Sequence, residues 1–97
     1  MRFQVPPGHP ALPGHFPGRP IVPGVLLLDE VMRAIAAREP ALPPPGRLLR
    51  AKFLLPVRPG EVVELELGAR REGRVGFTGR VGAAVVLHGE FQCPAAP

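Results

Sequence analysis

The apolar residues of this chain change period once. Between Gly24 and about Arg38, Val25, Leu28, Met32, Ile35 and Ala36 recur at helical spacing, and Leu26, Leu27, Val31 and Ala34 widen the stripe almost all the way round. This pattern predicts a helix buried on nearly every side. Pro23 suits its first turn, Arg33 and Arg38 complement the macrodipole near its far end, and Pro40 with the Pro43-Pro44-Pro45-Gly46 run stops it. Beyond Gly46 the period becomes two. Arg47 to Phe53 or a little beyond reads as a strand and Arg58-Pro59-Gly60 as a turn. Glu61 to Arg71 alternates, with Val63, Leu65, Leu67 and Ala69 on one face. Glu72-Gly73 is the next turn, Arg74 to Val81 and Ala84 to Gln92 are two further strands, and Pro94 to Pro97 is a frayed tail. Ahead of the helix, Met1 to Val5 fits a short edge strand that stops at Pro6. The order predicts an α+β fold in which one helix lies across a curled antiparallel sheet of about five strands, as a single domain over residues 1–97.

Residues 6–23 do not fit either period. Pro17, Pro20 and Pro23 each fix φ and remove a backbone donor, so this stretch is a stiff loop and not a central strand. It is too long for a simple connector, which points to a functional loop or one wrapped over the core. A rigid loop holds side chains in place, and the side chain with chemistry to offer is His15, beside Phe16. The other candidate is Asp29, an acid set among Val25, Leu26, Leu27, Leu28, Val31 and Met32. If the helix is buried all round, its apolar surroundings favour the protonated carboxyl.

Composition adjusts this picture in a few places. A chain of 97 residues with 15 Pro and 12 Gly builds a small core with constrained turns, and self-association would add burial. One cysteine, Cys93, excludes an internal disulfide and a multi-thiolate metal site, and fits a reducing compartment. There is no leader pattern at the start and no apolar run near the roughly 20 residues of a membrane span, so the expected location is the cytoplasm. The net charge of +4 raises nucleic acid as a partner. The absence of Trp and Tyr, the scattered Phe residues and the apolar helix argue against it. An acidic protein fits the charge equally well.

The segment Gly14 to Asp29, Gly-His-Phe-Pro-Gly-Arg-Pro-Ile-Val-Pro-Gly-Val-Leu-Leu-Leu-Asp, resembles the active-site stretch of the 3-hydroxyacyl-(acyl-carrier-protein) dehydratases, a hot-dog fold family. Lys52 to Glu61 resembles the strand and turn after that family's central helix, so the two matches cover about a quarter of the chain. In opening almost directly at the loop, the chain is similar to the short hydroxymyristoyl-type and aryl-polyene-type members. Its acid is Asp, as in the branch that includes the bifunctional dehydratase/isomerase, whereas the loop around His15 is closer to the Glu-bearing branch. The resemblance leaves the branch open.

The resemblance implies dehydration of a 3-hydroxyacyl thioester, on an acyl-carrier protein or coenzyme A, to the trans-2-enoyl thioester, by a homodimer without cofactor or metal. Such an elimination needs a base for the C2 proton, an acid for the departing hydroxyl and donors for the enolate oxygen. His15 would be the base. Asp29, placed by the family across the dimer interface, would be the acid. The Gly24 and Val25 N–H groups at the positive end of the helix would polarise the thioester carbonyl, with Phe16, Pro23 and Gly24 close to the substrate. Other readings stand beside these. His15 in a loop can simply make a local hydrogen bond, and Asp29 can pair with Arg19 or Arg33. Glu30, His9, His88 and Cys93 read as exposed or structural. Arg47, Arg50, Lys52, Arg58, Arg70 and Arg71 read as a solvated basic surface or as a docking patch for an acidic carrier. A hot-dog isomerase or thioesterase, and a non-catalytic acyl-binding subunit of a heteromeric dehydratase, are the alternative functions.

Overall fold

A computed structural model describes residues 1–10 and 21–94. Its elements are β1 (Arg2–Phe3), α1 (Gly24–Arg38), β2 (Arg47–Phe53), β3 (Val63–Leu67), β4 (Arg74–Val81) and β5 (Ala84–Gln92). The strands form one antiparallel sheet in the order β1-β3-β4-β5-β2. This is the hot-dog arrangement expected from the sequence, with the helix packed on one face of the sheet.

Local chemistry explains the hairpins. Glu72 and Gly73, with φ of 51° and 74°, form the two-residue loop between the bridged Arg71 and Arg74. Two successive positive φ values are the type I′ geometry, whose twist matches that of the flanking strands. Gly82, with φ of 59°, leads the two-residue loop between Val81 and Ala84, the Gly-first pattern of a II′ turn. The turn at residues 58–61 closes with Glu61 N–H donating to the Arg58 carbonyl (3.1 Å), while the Arg58 N–H donates to Glu61 Oε1 (2.6 Å). The β1 ladder is shorter than the expected Met1 to Val5. Its edge is nonetheless used along that length, because Leu65 N–H donates to the Met1 carbonyl and Gly60 N–H to that of Val5.

The core sits between α1 and the inner faces of β3, β4 and β5. Leu27, Val31 and Ile35, one turn apart, bury against Val63, Leu65, Val75, Phe77, Leu87 and Phe91. Phe77 lies opposite Gly89, and a side chain at Gly89 would collide with its ring and with the Arg50 carbonyl. The glycine therefore lets the Phe77 ring lie across the sheet, 5.5 Å from the Phe91 ring centre.

One expectation is corrected here. The helix buries a single stripe and not its whole circumference: Val25 is 71% exposed, and Leu28 and Met32 are only partly covered. The reason is geometric. One helix on one open sheet has cover on one side only, so an apolar residue on its far side meets solvent within a single chain. Strand β2 shows the same deficit. It is an edge strand paired only with β5, and Leu48, Leu49 and Phe53, with Leu54 and Leu55 just beyond, are exposed.

The far end of α1 is tied down by charge. Glu39, the C-cap, sends its N–H to the Ile35 carbonyl, and its carboxylate pairs with Arg38 and Arg70, both at 2.9 Å. Arg38 also donates to the Gly68 carbonyl (2.7 Å) and Arg70 to that of Pro94 (3.2 Å), so the cluster joins helix, sheet and C-terminal segment. The hydrogen bond from Arg70, then that from Arg38, holds the Glu39 carboxyl below the usual carboxylate range. Cys93 beside it is fully buried, and burial pushes its thiol up.

Candidate active site

The first turn of α1 begins without a side-chain cap. Pro23 is the N-cap, its carbonyl accepts from the N–H groups of Leu26 and Leu27, and there is no acidic residue in the turn. Among the described residues the Gly24 and Val25 N–H groups have no hydrogen-bond acceptor. Such unsatisfied donors at the positive end of a helix suit an oxygen that carries developing negative charge.

An open groove of about 420 Å³ runs up to this turn. Ile21, Val22, Pro23, Gly24 and Leu27 line one side, and Phe53, Leu54, Leu55, Pro56 and Val57 the other. The two sides are joined by a bond from the Val22 N–H to the Val57 carbonyl (2.7 Å). Leu54 and Leu55 leave the regular ladder and donate to the Val86 carbonyl, which turns the chain after β2 along the groove. The lining is apolar and the volume lies within the usual range for small-molecule sites.

Asp29 lies elsewhere. It lines a second hollow, of about 270 Å³, with Val25, Leu28, Met32, Gly46, Arg47, Leu48 and Phe91. Its side chain is 42% exposed, and Oδ2 accepts from Nε of Arg33 one turn on at 3.0 Å. The apolar enclosure expected for Asp29 is therefore absent within one chain, because this side of the helix has nothing packed over it, and the pairing with Arg33 weighed as an alternative is the one found. Of the predicted site residues, Pro23 and Gly24 share the groove at the helix start, whereas Val25 and Asp29 face the second hollow. His15 and Phe16 lie outside the described residues.

Sequence reasoning did not assign Phe53, Leu54 or Leu55 to the site. Their signal was present: three large apolar residues follow one another at the end of an edge strand, immediately before Pro56, where core packing does not require them. Of the basic residues, Arg70 belongs to the Glu39 cluster, while Arg47, Arg50, Lys52, Arg58 and Arg71 form no ion pair among the described residues. Arg47, Arg50 and Lys52 stand opposite Gln92, Glu90 and His88 of β5. No group of His, Cys, Asp and Glu among the described residues is arranged to hold a metal, and no helix is long and apolar enough to cross a membrane.

The same architecture is found in solved proteins. The dehydratase heterocomplex ApeI:P from Xenorhabdus doucetiae superposes with a TM-score of 0.77 at 23% identity, over 96% of this chain and 84% of that one. An uncharacterized protein from Erwinia carotovora subsp. atroseptica gives 0.80 at 25% identity, over 97% and 80%. In sequence, the chain is 36% identical over 105 aligned positions to the 3-hydroxyacyl-(acyl-carrier-protein) dehydratase FabZ of Yersinia pestis (strain Pestoides F) and equally to that of Yersinia pseudotuberculosis serotype O:1b (strain IP 31758). These matches take in 91% of this chain but 60% of each relative, so the chain spans about three fifths of their length. The family model for the ApeI dehydratase matches residues 1–90, which is nearly the whole sequence, and the chain accordingly belongs to the ApeI-like dehydratase family.

Proposed function

We propose that this protein removes water from a 3-hydroxyacyl thioester, presented by an acyl-carrier protein or coenzyme A, to give the trans-2-enoyl thioester in a fatty-acid-type synthesis in the cytoplasm. The observation that carries the reading is the uncapped first turn of α1, with two N–H groups that have no acceptor among the described residues, at the edge of an apolar groove. An acyl chain lies in the groove and the thioester oxygen accepts from Gly24 and Val25. His15 takes the C2 proton as the enolate forms, and Asp29 delivers a proton to the hydroxyl, which leaves as water. The proton gained by His15 then replaces the one lost by Asp29, so the cycle closes without cofactor or metal.

Asp29 faces a different hollow from Gly24 in one chain, which supports a site shared between two chains. The exposed apolar residues of β2 and its open edge favour pairing along that strand, and a second copy laid there would cover Leu48 and the hollow that holds Asp29. We therefore read the active form as a homodimer. A second reading, in which the partner is a non-identical subunit, is favoured by the row of Arg47, Arg50 and Lys52: two identical β2 strands would bring like charges together. Its support also includes the structural match to a dehydratase heterocomplex.

The test is product analysis of purified protein with 3-hydroxyacyl thioesters of several lengths. The expected product is the 2-enoyl thioester, with His15→Ala slower by about 100-fold or more, the usual scale for loss of a general base. Release of the free acid would assign a thioesterase instead, and a 3-enoyl product an isomerase. A folded protein inactive on every thioester until a partner is added would favour the heteromeric reading.

A further inference from the structure

We propose that Phe53 sets the acyl-chain fit of the groove, its ring occupying the space that a side chain at residue 24 would take. This rests on reading the groove as an acyl-thioester site. The tip of the ring points at the helix start: a Cβ on Gly24 would lie 2.8 Å from Cζ and 3.1 and 3.2 Å from the two Cε atoms. Gly24 is not among the residues with positive φ, so its backbone does not demand glycine. The ring does. Phe53 and Gly24 are thus a size-matched pair that joins the last residue of β2 to the first turn of α1.

The position of the ring gives it consequence. Phe53 lines the groove on the Leu54–Val57 side with its ring tip against Gly24, and 48% of it is open to the groove and its surroundings. An acyl chain whose thioester oxygen accepts from Gly24 and Val25 starts beside this ring, which lines the groove together with Leu54 and Leu55. Truncating the ring opens the wall, so longer chains gain room and shorter ones lose contact, and each methylene gained or lost in an apolar pocket changes discrimination by about 10-fold or more.

The experiment measures binding of saturated butyryl-, octanoyl- and dodecanoyl-coenzyme A, which cannot be dehydrated, to wild type, Phe53→Leu and Phe53→Ala. Phe53→Ala is expected to raise the dodecanoyl-to-butyryl affinity ratio by about 10-fold. An unchanged ratio, a uniform loss at all lengths, or no binding by wild type would overturn the proposal. A second measurement reads the pair without any ligand. Gly24→Ala is expected to lower the Tm in the wild-type background and to lower it by less than half as much in the Phe53→Leu background; equal losses would overturn the size match. Turnover of 3-hydroxyacyl thioesters is followed separately. Wild type that binds with the expected ratio change but forms no enoyl product contradicts the dehydratase reading alone, whereas active enzyme with an unchanged ratio contradicts only the role of Phe53.

Discussion

Asp29 combines an i,i+4 ion pair with a place on the uncovered side of a helix. An exposed pair of this kind contributes at most about 0.5 kcal/mol, so Asp29→Asn is expected to change stability by no more than that. Its effect on turnover is expected to be a loss of about 100-fold or more in kcat. Denaturant unfolding and steady-state kinetics on the same variant separate the two. Glu39 is the contrasting acid, because its partners hold it ionised and tie three segments together. Its carboxyl titrates lower in the folded chain than in the unfolded one, so its contribution is complete above the ordinary value of 4.5 and is lost as pH falls through the depressed folded value. Glu39→Gln removes that contribution. The stability gap between wild type and Glu39→Gln is therefore expected to be constant at neutral pH and to shrink below about pH 4.5, as measured by unfolding at several pH values. Glu72 offers a gain instead. It is a non-glycine residue at φ 51°, and Glu72→Asn, which makes the Asn-Gly sequence favoured in type I′ turns, is expected to stabilise by about 0.5 kcal/mol in denaturant unfolding.

At the scale of elements, what could be read from the residues was what local chemistry decides. Glu72-Gly73 and Gly82 announce their hairpins because positive φ selects few residues, and Pro23 and Pro40 bracket the helix because Pro acts on its own backbone. The alternation of Val63 and Leu65 predicts the inner face of β3 correctly. Which side of α1 meets the sheet was not legible. Leu27, Val31 and Ile35 are no more apolar than Val25, Leu28 and Met32, and the choice depends on where the sheet lies. The course of the chain after β2 was hidden for a similar reason: Leu54 and Leu55 look like strand, yet both turn to the Val86 carbonyl and form the groove wall. The exposed apolar side of β2 makes the element-scale prediction. Leu48→Asp is expected to weaken self-association at least 10-fold while leaving the monomer's β content intact, a result that sedimentation and circular dichroism would report together.

For the whole molecule, the single chain accounts for its own core but leaves its chemistry divided. Gly24 opens on one hollow and Asp29 on another, and both adjoin the apolar surface around β2. In the proposed homodimer, a second chain along that edge would cover Val25, Leu48 and Leu49 and enclose the hollow that holds Asp29. The direct test of a site built from two chains is to mix inactive variants. His15→Ala and Asp29→Asn, each inactive alone, are unfolded together, refolded as a mixture and assayed for dehydration. In a two-fold dimer half of the molecules are mixed and each mixed molecule keeps one intact site, so activity is expected to return to about a quarter of the wild-type level. If the mixture stays as inactive as its parents while wild type treated the same way recovers, base and acid act within one chain, and the shared site is contradicted.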